Sequence, residues 1–191
     1  HKVEPTRMRA ALRAELNNRL LNFIRNHLAD DIVYQSEFSR HWWEQVFGLT
    51  GKPNTVVYNG VDLDTYTPHV PEQPPSEHYR LLLVEGRLTG AYARGLDTAV
   101  RLAQMLADQH QLPLELMVVG DVDGNLRRQM LTLAPNVPIT WQGIVPRDAI
   151  PALDRSAHLL FSADLNAACP NSVIEALACG LPVTAYDTGA L

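Results

Sequence analysis

Features that define several other classes of protein are scarce or missing in this sequence. Only two of its 191 residues are cysteines, Cys169 and Cys179, too few for a disulfide framework. No His, Cys or acidic residues have a convincing zinc-ligand spacing, so we expect no metal site. No apolar run approaches the roughly 18 residues that a transmembrane helix requires, and no signal peptide is recognisable. The absence of a Gly-x-Ser-x-Gly turn and of a Walker A loop argues against hydrolase and P-loop chemistry.

Positive charge is also in short supply. The formal net charge is −5, from 16 Lys and Arg against 21 Asp and Glu, so no bulk attraction to nucleic acid or anionic lipid is expected. We therefore predict no nucleic-acid partner. The low cysteine count favours a reducing, cytoplasmic location, with peripheral contact with the inner face of a membrane left open. Any anionic ligand must be held by a local arrangement of hydrogen-bond donors.

Apolar residues make up 46% of the chain, which is enough for a packed core. Apolar side chains at steps of three and four predict an amphipathic, core-facing helix over residues 6–29. Short apolar runs at 31–35 and 55–58 predict strands on either side of a second helix at 37–47.

A proline-rich stretch then divides the chain. Four prolines within residues 67–76 exclude a helix or a central strand, and we predict an extended, semi-rigid linker over 67–78. Residues 1–66 would be the remnant of an N-terminal domain with its junction, and residues 79–191 a second domain. The chain begins with His1 and stops shortly after a strand-like stretch, so we expect a piece of a longer protein, truncated at its C-terminus.

After the linker, apolar strands alternate with helices. The predicted strands are 80–84, 114–119, 137–141, 158–161 and 182–186, and the predicted helices are 95–110, 125–133, 146–155 and 170–178. This alternation predicts an α/β fold with a Rossmann-like parallel sheet and helices on both faces. In open α/β sheets the ligand lies beyond the carboxyl ends of the strands, so we expect the site in the segments that follow them.

The start of the last helix has the clearest ligand-binding pattern. Pro170 predicts a first helical turn in which the amides of Cys169, Asn171 and Ser172 are free to hold a phosphate. Glu175 lies four residues after Asn171 and therefore on the same helix face, where its carboxylate could accept hydrogen bonds from ribose hydroxyls. A surface glutamate favoured by the helix dipole is the alternative, and spacing alone does not decide between them.

Arginines and glycines follow the other strands. Two guanidinium groups near one strand end can clamp a diphosphate, and glycines there allow the backbone to approach a ligand or a flat base closely. The residues near these strand ends that we predict to bind the ligand are Gly86, Arg87, Arg94, Gly120, Gly143, Ile144 and Val145.

The order of these motifs resembles that of family 4 glycosyltransferases, which have the GT-B fold. Val57-Tyr-Asn-Gly-Val-Asp62 resembles their domain-junction signature. Gly86-Arg-Leu followed by Arg94-Gly95 resembles their phosphate-contacting stretch. Cys169-Pro-Asn-Ser-Val-Ile-Glu175 resembles the second half of their E-x7-E segment. The resemblance covers about residues 31–191 and implies that 79–191 is the donor-binding half of a GT-B fold.

The resemblance implies a retaining transfer of sugar from a nucleotide-diphosphate sugar to an acceptor hydroxyl, with no metal and no cofactor beyond that substrate. It implies that Arg87 and Arg94 contact the diphosphate during catalysis, that Glu175 binds the ribose, and that Asn166 to Ser172 surround sugar and phosphates. The acceptor, a saccharide or a lipid-linked molecule, would bind to the missing domain. We therefore expect this chain to bind the donor and to be inactive by itself.

Two positions depart from the family pattern. Arg94 stands where a lysine is usual, and Ala167 stands where the first glutamate of the motif is expected, eight residues before Glu175. A methyl group cannot accept hydrogen bonds from the donor sugar, so Asp164, assigned a catalytic role, and Asn166 are the candidate substitutes. The departure at Ala167 keeps open a non-catalytic nucleotide-sugar-binding module. A nucleotide-sugar epimerase with the same architecture is a third possibility.

Overall fold

The computed structural model describes residues 5–68, 72–165 and 167–190. The chain forms two compact units, His1–Tyr58 and Asn59–Leu191. Residues 59–66, which the sequence groups with the first segment, lie in the second unit, because the buried Tyr66 packs into that unit's core.

The first unit contains the two helices and two strands that its sequence predicts. Its elements are α1 (Pro5–Phe23), a π-helical extension (Ile24–Leu28), β1 (Ile32–Tyr34), α2 (Glu37–Phe47) and β2 (Asn54–Val56). The strands β1 and β2 pair in parallel. The Ser36 side chain caps α2 by accepting a hydrogen bond from the Ser39 amide, which explains why this helix begins where the sequence predicts.

The expectation that the first helix faces a core is wrong for this unit. Its apolar side chains are largely exposed, from 37% at Ile24 to 67% at Leu16; the others are Leu12, Leu20, Phe23 and Leu28. The buried contact is polar instead. Arg25 donates from Nε to the Tyr34 hydroxyl at 3.0 Å and from a terminal nitrogen to the Gly48 carbonyl at 2.6 Å, so the end of the helix, rather than its leucine stripe, is fixed to the unit.

The second unit is a five-stranded parallel sheet, which confirms the predicted fold class. Its strands are β3 (Tyr79–Arg87), β4 (Leu114–Asp121), β5 (Ile139–Gly143), β6 (Leu159–Phe161) and β7 (Val183–Thr184). Their order in the sheet is β5-β4-β3-β6-β7, and every neighbouring pair is parallel.

Four helices connect these strands. They are α3 (Ala91–His110), α4 (Gly124–Leu133), α5 (Ile150–Arg155) and α6 (Asn171–Ala178), with a 3₁₀ turn at Arg147–Ala149 before α5. Several starts differ from the prediction. The helix predicted over 146–155 begins at Ile150, after the 3₁₀ turn. The helix predicted over 95–110 begins at Ala91, so Arg94 lies in its first turn rather than before it. Pro170 precedes α6 as its N-cap residue instead of occupying the first turn.

Side chains of β3 alternate between two apolar cores. Leu81 and Leu83 belong to the core that α3 and α4 cover, whereas Leu82 belongs to the core that α5 and α6 cover. The connection that leaves β3 runs through α3 to β4, and the one that leaves β6 runs through α6 to β7, in the opposite direction along the sheet. The two helices lie on opposite faces of the sheet. The carboxyl ends of β3 and β6 form a topological switch point, where open α/β sheets bind their ligands.

A polar cluster closes the opposite edge of the sheet, at the amino ends of the strands. The Glu115 carboxylate accepts hydrogen bonds from Arg80 Nε at 2.8 Å and from the Thr140 hydroxyl, and lies 2.9 Å from His78 Nε2. Since these groups satisfy one another, the cluster fixes adjacent strands and has no evident need of a ligand.

Candidate functional site

The ends of β3 and β4 hold the first predicted site residues. Gly86 and Arg87 close β3, and Arg87 Nε lies 3.3 Å from Asp121 Oδ2 at the end of β4. Both side chains are about half exposed or more, 71% and 49%, so this ion pair is weak and can exchange for a better anionic partner. Arg87 is thus held at the carboxyl edge without being buried there.

The start of α3 is available to an anion. Gly90 is its N-cap residue and supplies no side-chain cap, and Arg94 is exposed in the first turn. At α4, in contrast, the Asp123 carboxylate accepts hydrogen bonds from the Asn125 and Leu126 amides at 2.8 and 3.0 Å. Of these two helix starts, only that of α3 leaves its positive end without a side-chain acceptor.

The start of α6 is organised by a residue from a distant part of the unit. Pro170 provides no side-chain cap, and Asn171 is exposed. The Asn59 side-chain amide donates to the Cys169 carbonyl at 3.2 Å and to Asn171 Oδ1 at 2.8 Å, and the Asn59 backbone amide donates to Cys169 Sγ at 3.4 Å. Asn59 therefore fixes the loop that leads into α6, including two of the predicted site residues. Ser172 follows as the second residue of the helix.

Glu175 lies one turn into α6 and is only 8% exposed, unlike the surface glutamate of the alternative interpretation. A terminal nitrogen of Arg147 donates to its Oε1 at 3.2 Å. The Tyr66 hydroxyl is buried nearby; burial raises the pKa of Tyr66, and the neighbouring Arg147 opposes that rise. Sequence reasoning missed Arg147, although a basic residue that follows the end of β5 is the kind of signal that could have revealed it.

Two of the glycines are required by packing. A Cβ on Gly120, whose φ is +137°, would lie 2.2 Å from the Glu85 carbonyl oxygen, and a Cβ on Gly95 would lie 2.5 Å from the Ala163 Cβ and 2.6 Å from the Ala163 carbonyl oxygen. A Cβ on Gly86 would meet no atom within 4 Å. Gly120 and Gly95 thus bring the protein's own backbone together, whereas Gly86 leaves open space at the carboxyl edge.

The segment after β5, which is predicted to contact the base of the nucleotide, has an open surface. Gly143 has a φ of +69° and no atom within 4 Å of its ideal Cβ position. Ile144 is 73% exposed, whereas Val145 packs partly against the core under α5 and α6. The exposed backbone here can present its N–H and C=O groups to a flat ligand.

Two carboxylates meet at the switch point. Glu85 follows the apolar part of β3, and Asp164 follows β6; burial, and then the charge of Asp164, raise the pKa of Glu85 to about 7. Tyr92, from the first turn of α3, also has its pKa raised by burial and by these two carboxylates. Sequence reasoning named Asp164 but missed Glu85, although an acidic residue directly after an apolar strand was visible.

The position of the absent motif glutamate is closed. Ala167 is 1% exposed, and its carbonyl accepts a hydrogen bond from the Ala190 amide at 2.8 Å. A Cβ on Gly189 would lie 2.4 Å from that same oxygen, so the backbone of residues 189–190 covers Ala167. Asn166, the other predicted residue of this loop, lies outside the described residues.

Two cavities open near these segments. One of about 390 Å³ is lined by Asp62, Thr65, Tyr66, Arg147 and Asp148. The other, of about 360 Å³, lies between the starts of α3 and α4. Neither of these two is lined by Arg87, Arg94 or Glu175. Arg87, Arg94 and Glu175 lie on elements at the carboxyl edge of the sheet and outside both cavities.

Among the described residues, no group of three His, Cys, Asp or Glu side chains is arranged to hold a metal ion. The described helices include none with the length and apolar character needed to cross a bilayer.

Comparison with known proteins gives one family match. The model of the family described as "Glycosyl transferases group 1" matches residues 68–191. No curated protein sequence matches the chain significantly.

Solved structures with a similar fold cover most of this chain. Sucrose-phosphate synthase from Thermosynechococcus elongatus matches with a TM-score of 0.70 and 20% identity, over 92% of this chain and 45% of that one. An E. coli structure described as trehalose-6-phosphate bound with UDP-2-fluoro glucose matches with a TM-score of 0.61 and 13% identity, over 82% and 45%. The C-terminal domain of a glycosyl transferase group 1 family protein (LpcC) from Francisella tularensis matches with a TM-score of 0.55 and 18% identity, over 69% and 72%. At such identities the likeness concerns the fold, and the chain spans less than half of the first two structures.

Proposed function

This chain belongs to the glycosyl transferases group 1, and from that premise we propose that it binds the nucleotide-diphosphate sugar donor of a retaining, family 4 glycosyltransferase. The longer protein would transfer the sugar to an acceptor hydroxyl, on a saccharide or a lipid-linked molecule, held by a domain outside this chain. No cofactor beyond the sugar nucleotide is required in this proposal, and the location is cytoplasmic.

The observation that carries the proposal is the set of donors around the switch point. Two helix starts without side-chain caps, those of α3 and α6, lie at the carboxyl edge of the sheet, and Arg87 and Arg94 are exposed at the same edge. Helix starts and guanidinium groups are the two kinds of group that bind phosphate oxygens most effectively. In a chain of net charge −5, this local concentration of donors is what an anionic ligand requires.

The nucleoside would extend from the diphosphate across the other side of the sheet edge. Glu175 offers its carboxylate to the ribose hydroxyls, and Arg147 balances the charge of that carboxylate at 3.2 Å. The Arg147 side chain is 74% exposed, so it can move aside as the ribose approaches. The exposed backbone of Gly143 and Ile144 would then contact the base.

During transfer, the acceptor oxygen would bond to the anomeric carbon as the bond between that carbon and the diphosphate breaks. Negative charge would grow on the leaving phosphate oxygen, which would take up the acceptor's proton. Arg87, Arg94 and the amides of the two helix starts would stabilise that charge because they already lie at the sheet edge before reaction. Such preorganised donors are among the largest contributions to catalysis.

A second candidate function is donor binding without transfer, and the closed position of Ala167 favours it. A carboxylate that would contact the donor sugar is missing there, and Ala167 is 1% exposed. The two candidates share the diphosphate and ribose contacts and differ in whether the sugar is turned over.

We expect Arg87→Ala and Glu175→Gln each to weaken nucleoside diphosphate binding by about 10- to 100-fold, because each removes a charge-assisted hydrogen bond worth about 1.5–3 kcal/mol. Isothermal titration calorimetry of the 191-residue chain with UDP, GDP and ADP measures this. Arg101→Ala is the matched control, since Arg101 is an exposed arginine of α3 that pairs with Asp97 at 2.7 Å.

The control variant should keep the wild-type dissociation constant. If both site variants bind the preferred diphosphate as tightly as wild type, or if Arg101→Ala weakens binding as much as they do, the assignment of the site is wrong.

A further inference from the structure

We propose that Asn59 is a positioning residue of the donor site, which orients the side-chain amide of Asn171 so that this amide presents its N–H groups to the diphosphate. Asn59 is not among the site residues that the sequence predicts. The inference rests on the proposed function and deepens it, because it identifies how the phosphate contacts at the start of α6 are held in place.

Three hydrogen bonds join Asn59 to the residues on either side of Pro170. The Asn59 side-chain nitrogen donates to the Cys169 carbonyl at 3.2 Å and to Asn171 Oδ1 at 2.8 Å. Its backbone N–H donates to Cys169 Sγ at 3.4 Å. Pro170 has no N–H of its own and provides no side-chain cap for α6. Asn59 therefore supplies anchoring contacts that the loop cannot make through Pro170.

These contacts fix the orientation of both side-chain amides. A backbone carbonyl can only accept hydrogen bonds, so the Asn59 atom that contacts the Cys169 carbonyl must be the nitrogen. The same nitrogen lies 2.8 Å from the Asn171 side chain, so the Asn171 atom that faces it must be the acceptor oxygen. The Asn171 nitrogen, with its two N–H groups, is left for a ligand. An amide that could present either end to a ligand is thus restricted to its donor end.

Backbone donors lie in the same helical turn. Among the described residues, the first amides of α6 that find a backbone acceptor are those of Val173 and Ile174, which both donate to the Pro170 carbonyl at 3.2 Å. The amides of Asn171 and Ser172 precede them, where a helix has no intrahelical acceptor, and phosphate oxygens accept from such amides. Asn171 is exposed, so its side-chain nitrogen can add a donor to these two.

A buried hydroxyl nearby is an independent indication that a polar partner is missing. The Ser162 amide donates to the Thr184 carbonyl at 2.9 Å, so Ser162 continues the pairing of β6 with β7. Its side chain therefore lies on the same face as that of Leu160, which belongs to the core under α5 and α6. Ser162 is 3% exposed, and its Oγ has no hydrogen-bond partner among the described residues. Buried polar groups normally have a partner, and this one lies at the edge and on the face where α6 begins.

The segment that carries Asn59 is itself held in place. Tyr66 is buried in the core under α5 and α6, and Val61 packs against the same core. Between them, the Asp62 carboxylate accepts a hydrogen bond from the Thr65 hydroxyl at 2.6 Å. A side chain orients its neighbour effectively only when its own position is fixed. Asn59 meets this condition because its segment is attached to the core within a few residues.

The orientation makes a prediction that shape alone does not. In an Asn59→Asp variant the side chain keeps its size, but a carboxylate can only accept hydrogen bonds. It would keep its contact with Asn171 only if that amide turned its nitrogen inward, and the Asn171 oxygen would then face the phosphate. Asn59→Asp should therefore harm diphosphate binding more than Asn59→Ala, which leaves the Asn171 amide free to turn either way.

Calorimetric titration of the 191-residue chain with UDP, GDP and ADP measures the dissociation constant of the diphosphate that binds. Asn59→Ala should weaken binding about 10-fold, since an oriented hydrogen bond to a charged group is lost, and Asn59→Asp at least about threefold more. Asn136→Ala is the matched control. The Asn136 side-chain amide also joins distant segments, by donating to Asp108 at 3.2 Å, but it precedes β5 at the opposite edge of the sheet. This control should keep the wild-type constant.

A double-mutant cycle with Asn171→Ala separates orientation of the amide from general support of the loop. In the Asn171→Ala background no side-chain amide remains to be oriented, so adding Asn59→Ala should cost about threefold or less. Adding Asn59→Asp there measures what charge repulsion alone contributes. A residue that only supported the loop would give additive effects.

A spectroscopic measurement on the wild-type chain does not depend on the folding of any variant. In ¹⁵N spectra the side-chain NH₂ signals of Asn171 should shift saturably as the diphosphate is added, with the same dissociation constant as calorimetry gives. In Asn59→Ala these side-chain signals should shift less at saturation, because the amide is no longer held toward the ligand.

The outcomes separate two failures. If none of the three diphosphates binds the wild-type chain, the proposed function is wrong, and the role of Asn59 falls with it. If a diphosphate binds but the Asn171 side-chain signals do not shift, or the effects of Asn59→Ala and Asn171→Ala are additive, the donor site stands and the positioning role is overturned. Binding to Asn59→Asp as tight as to Asn59→Ala overturns it as well.

Discussion

Replacing Gly120 by alanine is expected to destabilise the second unit by about 3–5 kcal/mol, at the upper end of the effects of single substitutions. The backbone of Gly120 has a φ of +137°, which L side chains rarely adopt, and its new Cβ would lie 2.2 Å from the Glu85 carbonyl oxygen. Strain of this kind costs about 1–3 kcal/mol before any clash is counted. Relieving the contact would require β3 and β4 to separate at their carboxyl ends.

Thermal unfolding followed by circular dichroism measures the effect, and amide hydrogen exchange in β3 and β4 localises it. For a chain of this size, 3–5 kcal/mol corresponds to a fall in Tm of about 10 °C. Gly86→Ala is the matched control, because an added Cβ there meets no atom within 4 Å, and its Tm should stay within a few degrees of wild type. Equal melting temperatures for Gly120→Ala and Gly86→Ala would contradict the close approach of the two strands.

Asp154→Leu is expected to stabilise the second unit at alkaline pH by about 4 kcal/mol, the equivalent of the roughly three-unit rise in pKa. Asp154 is 1% exposed in α5, and neither carboxylate oxygen has a hydrogen-bond partner among the described residues. Burial, and then the charge of Glu175, raise the pKa of Asp154 to about 7. Ionising the Asp154 carboxylate therefore costs more free energy in the folded unit than in the unfolded chain.

The sign of the pH dependence follows from that rise. Between about pH 4 and 7 the folded unit retains the Asp154 proton while the unfolded chain releases it, so stability falls as the pH increases. The difference in unfolding free energy between variant and wild type should grow across this interval and level off above it. Arg155 keeps other partners in the variant, the Thr67 carbonyl at 3.3 Å and Glu72 at 3.4 Å.

Urea unfolding at pH 4.5, 6 and 8 gives the required free energies for wild type, Asp154→Leu and Asp154→Asn. Asp154→Asn isolates the ionisation, since it keeps the size and polarity of the side chain. Parallel stability curves for wild type and both variants over this range would show that Asp154 is not held in its protonated form.

The fold could be predicted from the sequence because each signal was local. Continuous apolar strands alternating with helices determine a parallel sheet covered on both faces, and the Ser36 cap determines the start of α2. The predicted start of α3, at Gly95, is four residues later than the start at Ala91 in the structure. In the structure Gly95 lies within the helix, and its missing side chain accommodates Ala163. This contact joins residues that are distant in the sequence, so no local sequence pattern indicates it.

The predicted site residues stay a prediction, and the structure adds side-chain pairings among them that the sequence does not indicate. The contacts of Asn59 with Cys169 and of Arg147 with Glu175 join residues 110 and 28 positions apart, and neither spacing has a sequence pattern. Glu85 and Asp164 follow two paired strands, β3 and β6, that are not consecutive in the chain, and the sequence does not indicate this pairing. For α1, the spacing of the leucines correctly indicates an apolar helix face, but it does not indicate whether another part of the protein covers that face.

Binding of a nucleoside diphosphate at the switch point is the central claim, and amide chemical-shift perturbation tests it most directly. The 191-residue chain, labelled with ¹⁵N, is titrated with UDP, GDP and ADP. The claim predicts saturable shifts for Gly86, Arg94, Asn171 and Ser172, with little change at Glu115 on the opposite edge of the sheet. Shifts concentrated around Glu115, or no saturable shift with any of the three diphosphates, would contradict it.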